Sequence, residues 1–440
     1  MRRSYRSIFL FWAPLAATWL MMAAEGPFLA AVIARLADPK FNLAAHGVAF
    51  AFAILVEAPV IMLMSAATAL VEDATSYRRL RSFATALNAG STVLLLLVLA
   101  PPVYDLIMRT LVGLPDEVAD LTYGALWLFL PWPAAIGVRR FLQGVLIRSG
   151  RTRLVALGTV VRLVAMAATA LTLYFAFDLP GAWVGAASLS AGVCVEALAA
   201  RLMAAGTVRE LLAGPAVADP GAGALGYRKI AEFYVPLALT SLLGLTVQPL
   251  LTFFMGRAPD PVESLAVFPV VHALSFLFRA LGLSYQDAAI ALMGRRHEHF
   301  PELARFGAGL GLAASAGLGL IAFTPLATVW FETISGLTPE LSAFALTPAR
   351  ILVPIPALSV LLSFQRAVLM QGRRTRPITV ATAIEVATIA LLFVLAGWVA
   401  GLVGATAAFL AFLGGRICST AYLVPSAART LGRSRAALAG

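Results

Sequence analysis

Apolar residues run along the chain in twelve blocks with short polar breaks, near 8–35, 43–71, 82–108, 118–147, 154–177, 182–205, 229–257, 264–293, 303–330, 341–371, 377–398 and 401–427. A helix rises about 1.5 Å per residue, so blocks of this length are long enough to cross a bilayer. The pattern predicts an all-α polytopic membrane protein with twelve transmembrane helices. The first block carries a flaw: Glu25-Gly-Pro27 interrupts an otherwise apolar run from Phe9 to Ile33. Pro27 has no N–H and crowds the carbonyl four residues back, so a bend is expected there.

The same block occurs twice. Under a shift of 222, Phe11, Pro14, Thr18, Pro27, Arg35, Asp38 and Pro39 fall on Phe233, Pro236, Thr240, Pro249, Arg257, Asp260 and Pro261. A shift of 223 carries on through Pro131-Trp-Pro-Ala onto Pro354-Ile-Pro-Ala and Arg151-Thr-Arg onto Arg374-Thr-Arg. The chain is a duplication. Six spans per copy is an even number, which predicts two parallel six-helix bundles related by a pseudo-twofold along the membrane normal. The expected division is an N-lobe at 1–205, a cytoplasmic linker at 206–228 holding Gly214-Pro215 and Pro220-Gly, and a C-lobe at 229–440. Proline-bent helices at matched places in two repeats point to a transport site. Glu25 and Gln248, beside the two bends, are therefore candidate gating or ion-coupling residues.

Composition agrees with the pattern: 60% of residues are hydrophobic and 12% charged, against about 25% charged in soluble domains. The net charge of +11 would suggest nucleic acid in a soluble protein, but its placement excludes that partner. Twenty-two of the 33 basic residues fall at the termini and in alternate loops, and four (Arg35, Lys40, Arg109, Arg257) on the opposite side. The positive-inside rule then puts both termini in the cytoplasm of a multi-pass protein of the bacterial inner membrane. Basic residues precede the first apolar run as in a signal peptide, but the run is too long and lacks a cleavage site, so it reads as a retained helix. Cys194 and Cys418 are single, which leaves no disulfide framework or thiolate metal site. Phosphate-binding, metal-spacing and nucleophile motifs are missing, so neither an enzyme nor a cofactor is expected. Energy would come from an ion gradient, with H⁺ or Na⁺ as coupling ion, from the membrane potential or from the substrate's own gradient. A monomer is expected.

Taking those 22 and four from the 33 basic residues leaves seven arginines within the apolar blocks: Arg139, Arg140, Arg162, Arg279, Arg350, Arg366 and Arg416. Glu25, Glu57, Glu196, Glu385 and Asp287 are the acids there. Charges at bilayer depth are costly unless paired or hydrated, so they mark a bundle interior or an aqueous cavity. Arg139, Arg140 and Arg366 lie within two or three turns of the cytoplasmic surface and are expected to snorkel. Arg162, Arg279, Arg350 and Arg416 are deeper, either as halves of ion pairs or as substrate contacts. The excess is cationic, and guanidinium matches carboxylate and phosphate oxygens, so a cavity holding these groups favours an anion. His272 reads as a hydrogen-bonded packing residue or a proton relay. Arg350, Arg279, Arg162, Arg416, Arg257 and His272 form the candidate substrate set. Glu57 and Glu385 join Glu25 and Gln248 as gating or ion-coupling candidates. Glu57 falls on Arg279 under the 222 shift, so equivalent positions carry opposite charges and an exchangeable pair is expected, unless each is neutralised locally, as Arg279 would be by Asp287.

Two parallel six-helix copies with bent first and seventh helices resemble the MOP exporter superfamily, the multidrug (MATE-like), oligosaccharide-lipid and polysaccharide exporters. The chain is more closely similar to the progressive ankylosis family, through Phe233-Tyr-Val-Pro236-Leu-Ala-Leu239, Pro249, Arg257, Glu263-Ser-Leu-Ala266, Pro348-Ala-Arg350-Ile351 and Pro356. That resemblance implies export of an anionic metabolite of the pyrophosphate, nucleotide or citrate class, and carries over Arg257 and Arg350. Glu57, His272 and Arg279 match no position of the family pattern. A cation-coupled multidrug antiporter with Glu25 as ion site is one rival and predicts an acid-dominated cavity. A lipid-linked precursor flippase is another; arginines would suit its pyrophosphate, but twelve spans leave no room for additional groove helices. A non-transport scaffold would not call for intramembrane charges.

Overall fold

The computed structural model describes residues 4–214, 226–294, 297–372, 374 and 376–439. Arg2, Arg3, Arg295, Arg296, Arg373 and the middle of the expected linker lie outside the described residues. Within them the fold is helical, with no strand. Among the described residues, eleven helical segments are long and apolar enough to cross a membrane, and a twelfth follows if Pro339–Ile351 and Ile355–Gln371, bent by 40°, count as one span.

The proline rule accounts for the first break. Helix α1 (Tyr5–Ala23) ends at the residue whose carbonyl Pro27 would crowd, and α2 (Glu25–Ile33) resumes beyond Ala24. The second copy breaks in register: Pro249 acts on Leu245, where α10 (Tyr227–Leu245) ends before α11 (Val247–Met255). Gly26 has a packing reason as well, since a Cβ there would come within 3.1 Å of the Ala273 Cβ.

The next turn of each copy is the same device. Asp38 (φ 46°) precedes α3 (Pro39–Glu57), and Asp260 (φ 51°) precedes α12 (Pro261–Leu292). Aspartate tolerates the left-handed region better than most side chains, and proline is preset for the first helical position. One turn on, Asn42 Oδ1 accepts the Ala182 N–H at 2.9 Å, capping α9 (Gly181–Ala213). Its counterpart Ser264 Oγ accepts the Ala405 N–H at 2.9 Å, capping α17 (Gly404–Ala439). Asn42→Ala and Ser264→Ala are each expected to lower stability by about 1 kcal/mol, the usual worth of a helix N-cap. Equal small losses in thermal unfolding of the detergent-solubilised protein would check the equivalence of the two caps.

The other α-helices of eight or more residues in the first copy are α4 (Leu63–Leu70), α5 (Ala74–Leu99), α6 (Asp116–Leu128), α7 (Trp132–Arg148) and α8 (Thr152–Ala176). Those of the second are α13 (Phe300–Phe323), α14 (Pro339–Ile351), α15 (Ile355–Gln371) and α16 (Arg376–Phe393). A capping box starts α5. Asp73 Oδ1 accepts the Ser76 N–H at 2.7 Å, and this bond holds its carboxyl below the usual aspartate range.

The division into compact units departs from the expected one. One unit comprises Met1–Arg35 with Leu250–Gly440, and the other Leu36–Pro249. The expected lobes were 1–205 and 229–440, whereas helix α1 packs against α12 of the second copy and α10 packs against α3 and α5 of the first. Trp12 Nε1 donates to Ser284 Oγ at 2.9 Å, and Arg35 donates to the Thr333 and Ile334 carbonyls at 2.6 and 3.0 Å. The two bent helices thus exchange partners, and periodicity along a helix carries no information about which neighbour receives its apolar face. The expected linker is shorter as well. Helix α9 continues to Ala213, its last turns holding the Arg151–Glu210 pair at 3.0 Å, and α10 starts at Tyr227.

Candidate functional site

Each unit holds a buried charged cluster of its own. In the unit of Leu36–Pro249 the break before α7 sets the geometry. Pro131 and Pro133 bracket Trp132 at the helix start, and its indole N–H donates to the Glu57 carboxylate at the end of α3. Phe50 and Phe129 pack around that indole, with ring centroids at 6.3 and 5.4 Å. Farther along α7, Arg139 and Gln143 are four residues apart and share a face. Both reach Glu196 on α9: Arg139 Nη1 lies 2.6 Å from Oε2 and Gln143 Nε2 3.1 Å from Oε1. Arg162 Nε on α8 approaches the same carboxylate at 3.6 Å. Glu196 is fully buried. Arg140 lies against the Met64 sulfur, at 3.8 Å. Three arginines therefore stand against Glu57 and Glu196.

The unit built on the second copy is more cationic. Arg416 Nη2 on α17 pairs with Glu385 Oε1 on α16 at 2.9 Å, both side chains about nine-tenths buried. Arg279 on α12 has no carboxylate at ion-pair distance among the described residues. Its guanidinium lies 4.9 Å from the centre of the Phe412 ring and 5.8 Å from Phe276, and Nη1 is 3.4 Å from His272 Nε2. Phe412 also carries Arg416 at 5.5 Å, so one ring faces two cations. Arg366 on α15 has Thr382 Oγ1 at 3.4 Å and, among the described residues, no carboxylate at ion-pair distance. Arg279, Arg366 and Arg416 thus stand against the single carboxylate of Glu385.

The sequence candidates are distributed over the two units. Arg279, His272, Arg416 and Glu385 meet in the second-copy cluster. Arg162 and Glu57 lie in the first-copy cluster, Arg162 beside Glu196. Arg350 is exposed in the last turn of α14, donating to the Ala322 carbonyl at 3.2 Å and covering Phe323. The chain bends at Leu352–Pro354, so a position counted as mid-span is a helix end. Arg257 is exposed past α11, over the Phe253 ring at 5.3 Å. Glu25 and Gln248 are half-buried beside their bends. Asp287, the expected local partner of Arg279, hydrogen-bonds Trp19 instead.

Arg139, Arg140 and Arg366, expected to snorkel, lie inside the clusters. The Arg139–Gln143 spacing and a single deep acid on the sixth span were the available signals. The copies also exchange chemistry at matched positions. Glu57 and Arg162 become Arg279 and Glu385, while the His46–Phe50 stack becomes Phe268–His272.

No family model matches the chain, and no curated protein does. Solved structures match over nearly the whole length. An inward-facing multidrug resistance MATE family transporter of the MOP superfamily is 14% identical, with TM-score 0.66, covering 95% of each chain. The lipid II flippase MurJ in an inward closed conformation is 12% identical, with TM-score 0.69 over 97% of this chain and 90% of that one. A mutant of the Vibrio cholerae MATE transporter VcmN is 15% identical, with TM-score 0.60 over 97% of both. The fold is the one shared by these MATE and MurJ proteins.

Proposed function

We propose that the chain is an alternating-access secondary transporter that exports a small organic or phosphate-bearing anion of the pyrophosphate, nucleotide or citrate class. The observation that carries this reading is Arg279, a deep guanidinium held by aromatic faces and an imidazole, with no carboxylate partner among the described residues. A structural ion pair would have placed an acid there. With Arg366 and Arg416 it leaves three cations against one carboxylate, a balance that an anion corrects and a cationic drug worsens. Glu25, Glu57, Glu385 and Gln248 are the gating or coupling groups of this reading, H⁺ or Na⁺ the coupling ion, and a monomer in the bacterial inner membrane with cytoplasmic termini the working form.

The lipid-linked precursor reading is the second, favoured by the likeness to MurJ. Both need an anionic group at the arginines. Thermal shift of the purified protein against pyrophosphate, ATP, citrate, cationic drugs and lipid pyrophosphates separates them. Soluble anions are expected to stabilise the protein. Arg279→Ala is expected to weaken that binding by about 10- to 100-fold, the loss of a charge-assisted contact worth about 1.5–3 kcal/mol. Arg279→Lys should recover only part, because a point charge does not replace the donor fork. Stabilisation by cationic drugs alone, unchanged in Arg279→Ala, would overturn the proposal.

A further inference from the structure

Away from both clusters, the unit built on the second copy carries a groove of about 600 Å³. Its floor is α15, through Ala357, Val360 and Phe364, and its walls are α13 and α17, through Ala308 and Val424. Small side chains open it: Ala304, Gly307, Ala308 and Gly311 form one stripe on α13, and Ala427 and Ala428 face it from α17. Gln365 is the polar side chain in the lining, and its amide donates to the Thr420 carbonyl at 3.2 Å. The groove is otherwise carbon, with Leu312 69% and Val424 54% exposed, surface that water would penalise and hydrocarbon would not.

We propose that this groove holds one acyl chain of an anionic phospholipid from the leaflet at its basic end. The lining on α13 runs from Phe300 to Leu312, twelve steps or about 18 Å of helix. That is close to the half-thickness of a hydrocarbon core about 30 Å deep. The groove therefore starts at an interface and ends near the midplane, the reach of a single chain. Each helix that forms it brings an arginine to the interfacial end: Arg305 on α13, Arg374 just past α15 and Arg429 on α17. Arg305 and Arg429 are exposed and make no ion pair among the described residues. Glu298 and Glu302 share this end. Counted together at this end, the three arginines exceed the two acids by one charge. A phosphate at this end meets net positive charge, and the tail below it meets methyl and methylene surface worth about 25 cal/mol per Å² relative to water. The site is independent of which substrate the clusters bind.

Reconstitution in nanodiscs of equimolar phosphatidylglycerol and phosphatidylcholine, then native mass spectrometry after gentle release, tests it. The parent should retain phosphatidylglycerol preferentially. Ala308→Phe with Ala428→Phe fills the groove from its exposed walls and should cut the retained lipid about fivefold at unchanged elution volume. Arg305→Gln with Arg429→Gln should keep the retained number and lose the headgroup preference. On the unaltered protein, phosphatidylglycerol with a photoactivatable acyl chain should label residues 300–312 and 357–368 above other lipid-facing segments. Even labelling, or equal retention of the two lipids by the parent, overturns the assignment.

Discussion

Glu196→Gln is expected to cost about 3–5 kcal/mol, the loss seen when one partner of a buried ion pair is removed. Arg139, 6% exposed at its side chain, is 2.6 Å from the Glu196 carboxylate and nearly excluded from water. Arg162 loses its contact with the same group, and the carboxylate that remains near the three arginines is Glu57. The exposed Arg148–Glu72 pair is the control: Glu72→Gln should change stability by less than about 1 kcal/mol. Equilibrium unfolding in detergent checks both. The double variant Glu196→Gln/Arg139→Gln should regain most of the loss, because removing both charges relieves the desolvation that removing one leaves exposed. Additive losses in the cycle would mean that Glu196 acts through packing rather than through charge.

Much of the fold was legible because the chain states it twice. Pro27 and Pro249, Asp38 and Asp260, and Pro131 and Pro354 are local instructions acting on the backbone within a turn, and a local instruction reads the same before and after folding. The exchange of α1 and α10 was not legible: an apolar helix face packs equally well on many partners, and Trp12–Ser284 joins residues 272 positions apart. The clusters were half legible. The count of deep charges was right in sign, but depth from the helix end misplaced Arg139, which is held by Glu196 rather than by water. Arg350 looks deep only if 341–371 is one straight span. Arg279 stood out through its exchange of sign with Glu57, which is information about the repeat rather than about the helix.

Glu385→Gln tests whether the second-copy cluster is a binding site or a structural pair. The Arg416–Glu385 contact at 2.9 Å is nearly dry, with side chains 11% and 8% exposed, so its loss should destabilise the ligand-free protein by about 3 kcal/mol. The same change leaves Arg279, Arg366 and Arg416 without an acid and frees a guanidinium for an incoming anion. Ligand protection follows RT ln(1 + [L]/Kd), so a tenfold tighter Kd adds about 1.4 kcal/mol at saturating ligand. Glu385→Gln is therefore expected to be less stable alone, yet more strongly protected by the anion than the parent. Arg416→Gln should be less stable and less protected. Thermal unfolding with and without pyrophosphate or citrate separates the two. A purely structural pair would make the variants behave alike toward anion, because either change breaks the same contact; a site makes them opposite, because only one of them removes a donor.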